Sequence, residues 1–154
     1  MKGKIICAFF GTGKTYMNKN YPNYLDLETY YFGDRKDLLA MAIKDGSRAY
    51  GYNVLVACTK PIIELLQDND LDFVVVLPSK DLKQEYLERF KKRGSPPEII
   101  KGLENNFDKH IDEVMKLNCK KIILKSGEYL KDVIDQIEKR NCLWNIKIYF
   151  TSII

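Results

Sequence analysis

Apolar positions along the chain alternate between two periods. Short continuous apolar runs, the pattern of strands buried on both faces, cover Lys4–Phe10 (KIICAFF), Asn53–Cys58 (NVLVAC), Asp72–Leu77 (DFVVVL) and Lys121–Leu124 (KIIL). Asn23–Leu27 (NYLDL) has the same character in a shorter form. Between these runs the spacing is helical. A short helix is expected from Lys14, stopped by Asn20 and Pro22. Over Arg35–Tyr50, Leu38, Leu39, Ala42, Ile43 and Ala49 recur on one face, with Gly46 as an expected early break. Pro61 suits a first helical position. Ser79 suits an N-cap for a helix reaching Arg93, with Gly94 as its stop signal and Pro78 closing the strand before it.

The stretch Ser95-Pro96-Pro97-Glu98 carries an S-x-x-E capping box. The helix it opens places Ile99, Ile100, Leu103, Phe107, Ile111, Val114 and Met115 on one face. A last helix is expected over Glu128–Lys139, and Cys142–Ile154 reads as an extra strand. Strand and helix alternate strictly, which implies a single α/β domain over 1–154: three layers around a five-stranded parallel sheet. Ligands in such sheets bind at the carboxyl ends of the strands.

Composition narrows the picture without changing it. Of 154 residues, 45% are apolar and 30% charged, the balance of a folded globular chain rather than a disordered one. Charges interrupt each apolar run well before the ~18 residues a membrane span needs. The opening MKGKIICAFFG is too short for a secretory signal, and Gly-Thr-Gly-Lys-Thr stands where a cleavage site would fall. Cys7, Cys58, Cys119 and Cys142 show no C-x-x-C pair, and three lie in or beside expected strands. A reducing, cytoplasmic setting is therefore expected. His110 stands alone, so a multi-histidine metal site is excluded. The net charge of +4 suits a small anionic ligand and falls short of a nucleic-acid footprint.

The chemistry concentrates after the first strand. Ala8-Phe9-Phe10-Gly11-Thr12-Gly13-Lys14-Thr15 fits the phosphate-binding loop pattern, with alanine in place of the first glycine. Gly11 and Gly13 let successive amides curl around a phosphate. Lys14 reaches the β- and γ-phosphates, the Thr15 hydroxyl suits Mg²⁺, and the following helix directs its positive end at the anion. ATP and Mg²⁺ are the expected ligands.

An ATPase acting on water usually carries an acid at the end of a neighbouring apolar strand. Neither VLVACT nor VVVLPS ends in one. The carboxylate best placed is Asp26 in YLDLET, either as a metal ligand through water or as acceptor of a hydroxyl proton; a plain turn-forming Asp is the competing reading.

The chain resembles the small P-loop kinases of the nucleoside-monophosphate kinase type, in particular the compact adenylate-kinase-like proteins of bacteriophages and low-GC bacteria. AFFGTGKTY, YLDLET, VLVACTKP and VVVLPSKDLKQEYLERFKKRG carry the likeness, which extends from Met1 to about Asn141. It implies phosphoryl transfer from ATP to a small phosphate-bearing acceptor and a closing lid that carries arginines. The matching lid stretch is Lys80–Pro97, whose six basic residues against three acidic ones hold +3 of the net +4. Arg89 and then Arg93, four apart on one helix face, are the residues expected to close over the transferring phosphate. Acceptor recognition is expected from Arg35, Lys60 and Tyr31, with Tyr30, Phe32 and Arg48 nearby. The expected acceptor is a (deoxy)nucleoside monophosphate. Two alternatives remain: a nucleotide-binding regulator or partner-binding module without catalysis, and a polynucleotide end kinase. The stretch Asn145–Phe150 suits an edge strand or a homo-oligomer contact.

Overall fold

Ile5–Ala8 (β1) forms the centre of a five-stranded sheet in the computed structural model, which describes residues 2–138. On one side of it lies Asn53–Ala57 (β3), followed by Tyr24–Asp26 (β2) at the edge; on the other lie Val74–Pro78 (β4) and then Lys121–Leu124 (β5). All four pairings are parallel, with Cys7 opposite both Val56 and Val75. This is the α/β sheet that the alternation predicts. After β1 the chain runs to the β2–β3 side and only later crosses to β4, so the carboxyl end of β1 marks a switch point.

The continuous apolar runs are explained by burial on both faces. Ile5, Cys7 and Phe9 point into a core closed by Lys36–Lys44 (α2), Lys60–Asp68 (α3), Lys83–Lys92 (α4) and Pro97–Met115 (α5). Ile6 and Ala8 point the other way, onto Met17 of Lys14–Asn20 (α1) and onto Leu130, Val133 and Ile137. Each fully buried aliphatic side chain contributes about 1.5–3 kcal/mol by leaving water. A charge anywhere in β1 would have no solvent-facing side to occupy.

Several local expectations are corrected. Gly46 does not break α2; the chain continues through a π-helical turn, Asp45–Ala49, and Gly46 is buried against the sheet. Pro78 is the last residue of β4 rather than its terminator, and Ser79 precedes a short 3-10 turn, Lys80–Leu82, before α4 begins. The Ser79 hydroxyl bonds the Asp81 carboxylate, not a helix amide. The S-x-x-E capping box does not form. Pro96 occupies the cap position, and Ser95 Oγ accepts from Arg93 Nε at 2.9 Å. On α5, Phe107, Ile111 and Val114 are buried while Ile99 and Met115 are exposed. The last helix starts later than Glu128, with a 3-10 turn at Leu130–Asp132 and helix over 134–138. The expected strand over 142–154 and its oligomer contact lie outside the described residues. Among the described residues no helix is long and apolar enough to cross a membrane.

Candidate active site

The turn between β1 and α1 is held open by its own backbone. Phe9 N donates to Val76 O at 2.9 Å, and the buried Thr12 hydroxyl donates to Phe9 O at 2.6 Å. Gly11 and Gly13 have φ of 77° and 98°, where a side chain would be strained. A Cβ on Gly11 would also stand 2.9 Å from the Phe90 ring. The first intrahelical bond of α1 runs from Met17 N to Gly13 O, so the amides just before Met17 have no partner inside the helix. They form a cradle suited to an anion.

Neighbouring elements clamp this cradle from outside. Arg89 Nη1 donates to Gly11 O at 2.9 Å, and its Nη2 donates to Glu128 O at 3.0 Å and to the Glu85 carboxylate at 3.3 Å. Its guanidinium lies 4.4 Å from the Tyr86 ring centre and 3.8 Å from that of Tyr129. Glu85 in turn accepts from Ser126 Oγ and Gly127 N, and Leu130 N donates to Thr12 O at 2.9 Å. These bonds hold Glu85 below its ordinary range, the Ser126 hydroxyl contributing most. Sequence reasoning passed over Glu85 and the 126–130 loop. The i,i+4 spacing of Glu85 and Arg89 was a usable signal; their contact with the loop was not.

Lys14 Nζ donates to Ala8 O at 3.3 Å. Burial lowers its pKa, against the opposing pull of Asp26 and Glu28. Burial likewise raises the pKa of Asp26, while Lys14 and a hydrogen bond from Thr15 act to lower it. Lys14, Thr15, Asp26, Glu28, Thr59 and Arg93 border one cleft of about 490 Å³. Two cations and two carboxylates therefore share the space. The pairing of Thr15 with Asp26 supplies hard oxygen donors, which fits Mg²⁺. Among the described residues no cluster of three or more metal-binding side chains exists. A metal here would complete its shell with water and phosphate oxygens, as Mg²⁺ commonly does.

The predicted residues divide by position. Gly11, Gly13, Lys14, Thr15, Asp26 and Arg93 converge on the cleft. Ala8 and Phe9 do so only through backbone: both side chains are buried, and Phe9 packs edge-on against Phe107 with ring centres 5.5 Å apart. Phe10 borders the cleft as well. Arg89 is partly buried against the loop it clamps and borders a neighbouring groove rather than this cleft. Arg35 pairs with Asp37 and Lys60 with Glu64, all four exposed, and neither cation borders the cleft. Tyr31 stacks on Tyr30 at 4.3 Å with 76% of its surface exposed. The expected lid stretch is a helical hairpin whose Tyr86, Leu87 and Phe90 belong to the core.

No family model matches the chain, and no curated protein sequence matches it. Among solved structures, the tunicamycin resistance protein of Deinococcus radiodurans superposes with a TM-score of 0.56 at 14% identity, covering 91% of this chain and 95% of that one. An uncharacterized protein from Eubacterium ventriosum superposes with a TM-score of 0.48 at 17% identity, over 90% of this chain and 98% of that one. The likeness to the first shows the fold alone: an α/β chain built around a five-stranded parallel sheet.

Proposed function

We propose that the protein transfers the γ-phosphoryl group of ATP to a small acceptor. The observation that carries this reading is the convergence of Lys14, Thr15 and Asp26 on an open glycine cradle at the carboxyl end of β1. The unbonded amides bind and orient the triphosphate, and Lys14 exchanges its weak bond to Ala8 O for the phosphate oxygens. Mg²⁺, when bound at Thr15 and Asp26, neutralises charge on the phosphates. Arg93, at the mouth of the cleft, stabilises the charge spread over the transferring group. Asp26, which borders the cleft beside Lys14 and Thr15, accepts the proton of the attacking group.

A nucleoside monophosphate is the acceptor that the sequence resemblance implies, and it belongs in any assay panel. The second reading, nucleotide binding without transfer, draws on one observation. Arg89, the first choice for a closing arginine, is already bonded to Gly11 and Glu128. Incubation with γ-labelled ATP, with and without acceptors, separates the two. Transfer that disappears in Lys14→Ala supports the kinase reading; nucleotide binding with no labelled product under any condition supports the other. Competition by single-stranded oligonucleotide at the acceptor site would instead favour a polynucleotide end kinase.

A further inference from the structure

A second cavity, of about 400 Å³, adjoins the phosphate cleft. Phe10 and Arg93 border both spaces, so the two are neighbours. Its walls are mainly carbon, from Phe10, Phe90, Leu103 and Phe107. Volume and lining are those of a small-molecule pocket. The rings offer faces and edges suited to a flat apolar body.

Gly102 provides an independent observation. It borders this cavity in the middle of α5, where glycine is the weakest ordinary helix former. Its φ is not positive, and a Cβ built there meets no atom within 4 Å. Neither backbone geometry nor close packing therefore requires glycine. What the missing side chain provides is room.

Arg93 adds a guanidinium to the polar part of the lining, beside Asn106 and His110. Arg93 lies over the Phe90 ring at 3.9 Å with Nε bonded to Ser95. Among the described residues no carboxylate pairs with it. The adjoining cleft already contains the carboxylates of Asp26 and Glu28. A second phosphate-bearing substrate would meet those charges beside the triphosphate, whereas a neutral hydroxyl would not.

We propose that this cavity is the acceptor subsite, and that the acceptor is a hydroxyl compound with a flat, aromatic body whose phosphate ester is the product. The inference rests on the phosphotransferase reading above and gives its acceptor a chemical class. The acceptor oxygen forms the new bond to the γ-phosphorus. The bond from that phosphorus to the β–γ bridging oxygen breaks, and ADP leaves with the electron pair. The hydroxyl proton passes to Asp26 and then to water.

The test uses the full chain and 1-naphthyl phosphate, an aromatic phosphate ester that mimics such a product, titrated by calorimetry beside inorganic phosphate, AMP and ATP. The expected result is that naphthyl phosphate binds at least tenfold more tightly than inorganic phosphate. Gly102→Leu, which fills the cavity, should remove that advantage. Ile99→Glu, at a half-exposed rim position, should weaken naphthyl phosphate binding in a background where folding is not at issue. Equal binding of naphthyl phosphate to wild type and both variants overturns the proposal. So does its failure to bind wild type, as when another part of the chain fills the cavity, and so does AMP binding more tightly and independently of Gly102. Absence of ATP binding in the wild type instead overturns the phosphotransferase reading, so the two failures are distinct.

Discussion

Arg89 Nη1 donates to the carbonyl oxygen of Gly11 at 2.9 Å, across 78 residues of sequence. The bond ties α4 to the tip of the phosphate loop, and the same guanidinium reaches Glu128 O on the far side. A residue that sequence alone places in a mobile lid is thus part of the loop's support. Its fork shape matters, because two carbonyls and a carboxylate must be met from one plane.

Replacing Arg89 with alanine should therefore loosen the loop and the fold together. Losing charge-assisted bonds to these partly buried partners costs about 1.5–3 kcal/mol, which lowers the thermal midpoint by roughly 4–10 °C in a domain of this size. ATP affinity should fall with it. Arg89→Lys should recover little, since an ammonium cannot bridge both carbonyls. Scanning fluorimetry and ATP titration of the pair check this; an Arg89→Lys variant equal to wild type would remove the bracing role.

Lys14 should behave in the opposite way. Its pKa in the fold lies below the ordinary 10.5 because burial disfavours the charged form. The native state therefore bears a penalty at neutral pH that is relieved as pH climbs from the depressed value towards 10.5. Lys14→Met should unfold at an equal or higher urea concentration than wild type at pH 7, and should lack that alkaline gain. ATP binding should be lost. Urea midpoints at pH 7 and in the alkaline range measure both effects.

Asp26 titrates with the other sign. Burial raises its pKa in the fold, so the stability associated with its protonated form is fully present below 3.8 and is lost as pH rises through the raised value. Without Mg²⁺, Asp26→Asn should therefore keep at neutral pH the stability that wild type loses as pH rises through the raised value. Proton acceptance needs the ionised form. With Mg²⁺ and ATP present, the same variant should lower kcat by roughly 10²–10⁴. Urea midpoints against pH without metal, and turnover with it, check the two effects; an unchanged kcat would remove Asp26 from the reaction.

Gly46 tests the π-helical turn. Helix propensity alone predicts that Gly46→Ala gains about 1 kcal/mol. The structure predicts a loss, because the added Cβ would stand 3.0 Å from Val54 Cγ2 and 3.6 Å from Leu25 Cδ2. Overpacking of this kind costs about 1–3 kcal/mol. Chemical denaturation of the single variant decides the sign.

The sequence by itself determined the strands, the parallel sheet and the phosphate loop. Their signals are local. An apolar run bounded by turn residues needs burial on both faces wherever it lies, and Gly11-Thr12-Gly13-Lys14-Thr15 carries its loop geometry in its own backbone freedom. Tertiary structure alone decided which side chains share a space. Arg89 and Arg93 sit four apart on one helix, yet one is held between the Tyr86 and Tyr129 rings and the other borders both cleft and cavity. Helical spacing puts both on the same face, where they border one groove with Gly127 and Tyr129, but only Arg93 also reaches the phosphate cleft. Arg35 and Lys60 have the right charge but lie outside the cleft, paired at the surface with Asp37 and Glu64. Gly102, unremarkable within the amphipathic pattern of its helix, acquires meaning from the space beside it. Contacts between residues far apart in the chain leave no periodic trace in it, and for that reason the acceptor side of the site became visible only in the fold.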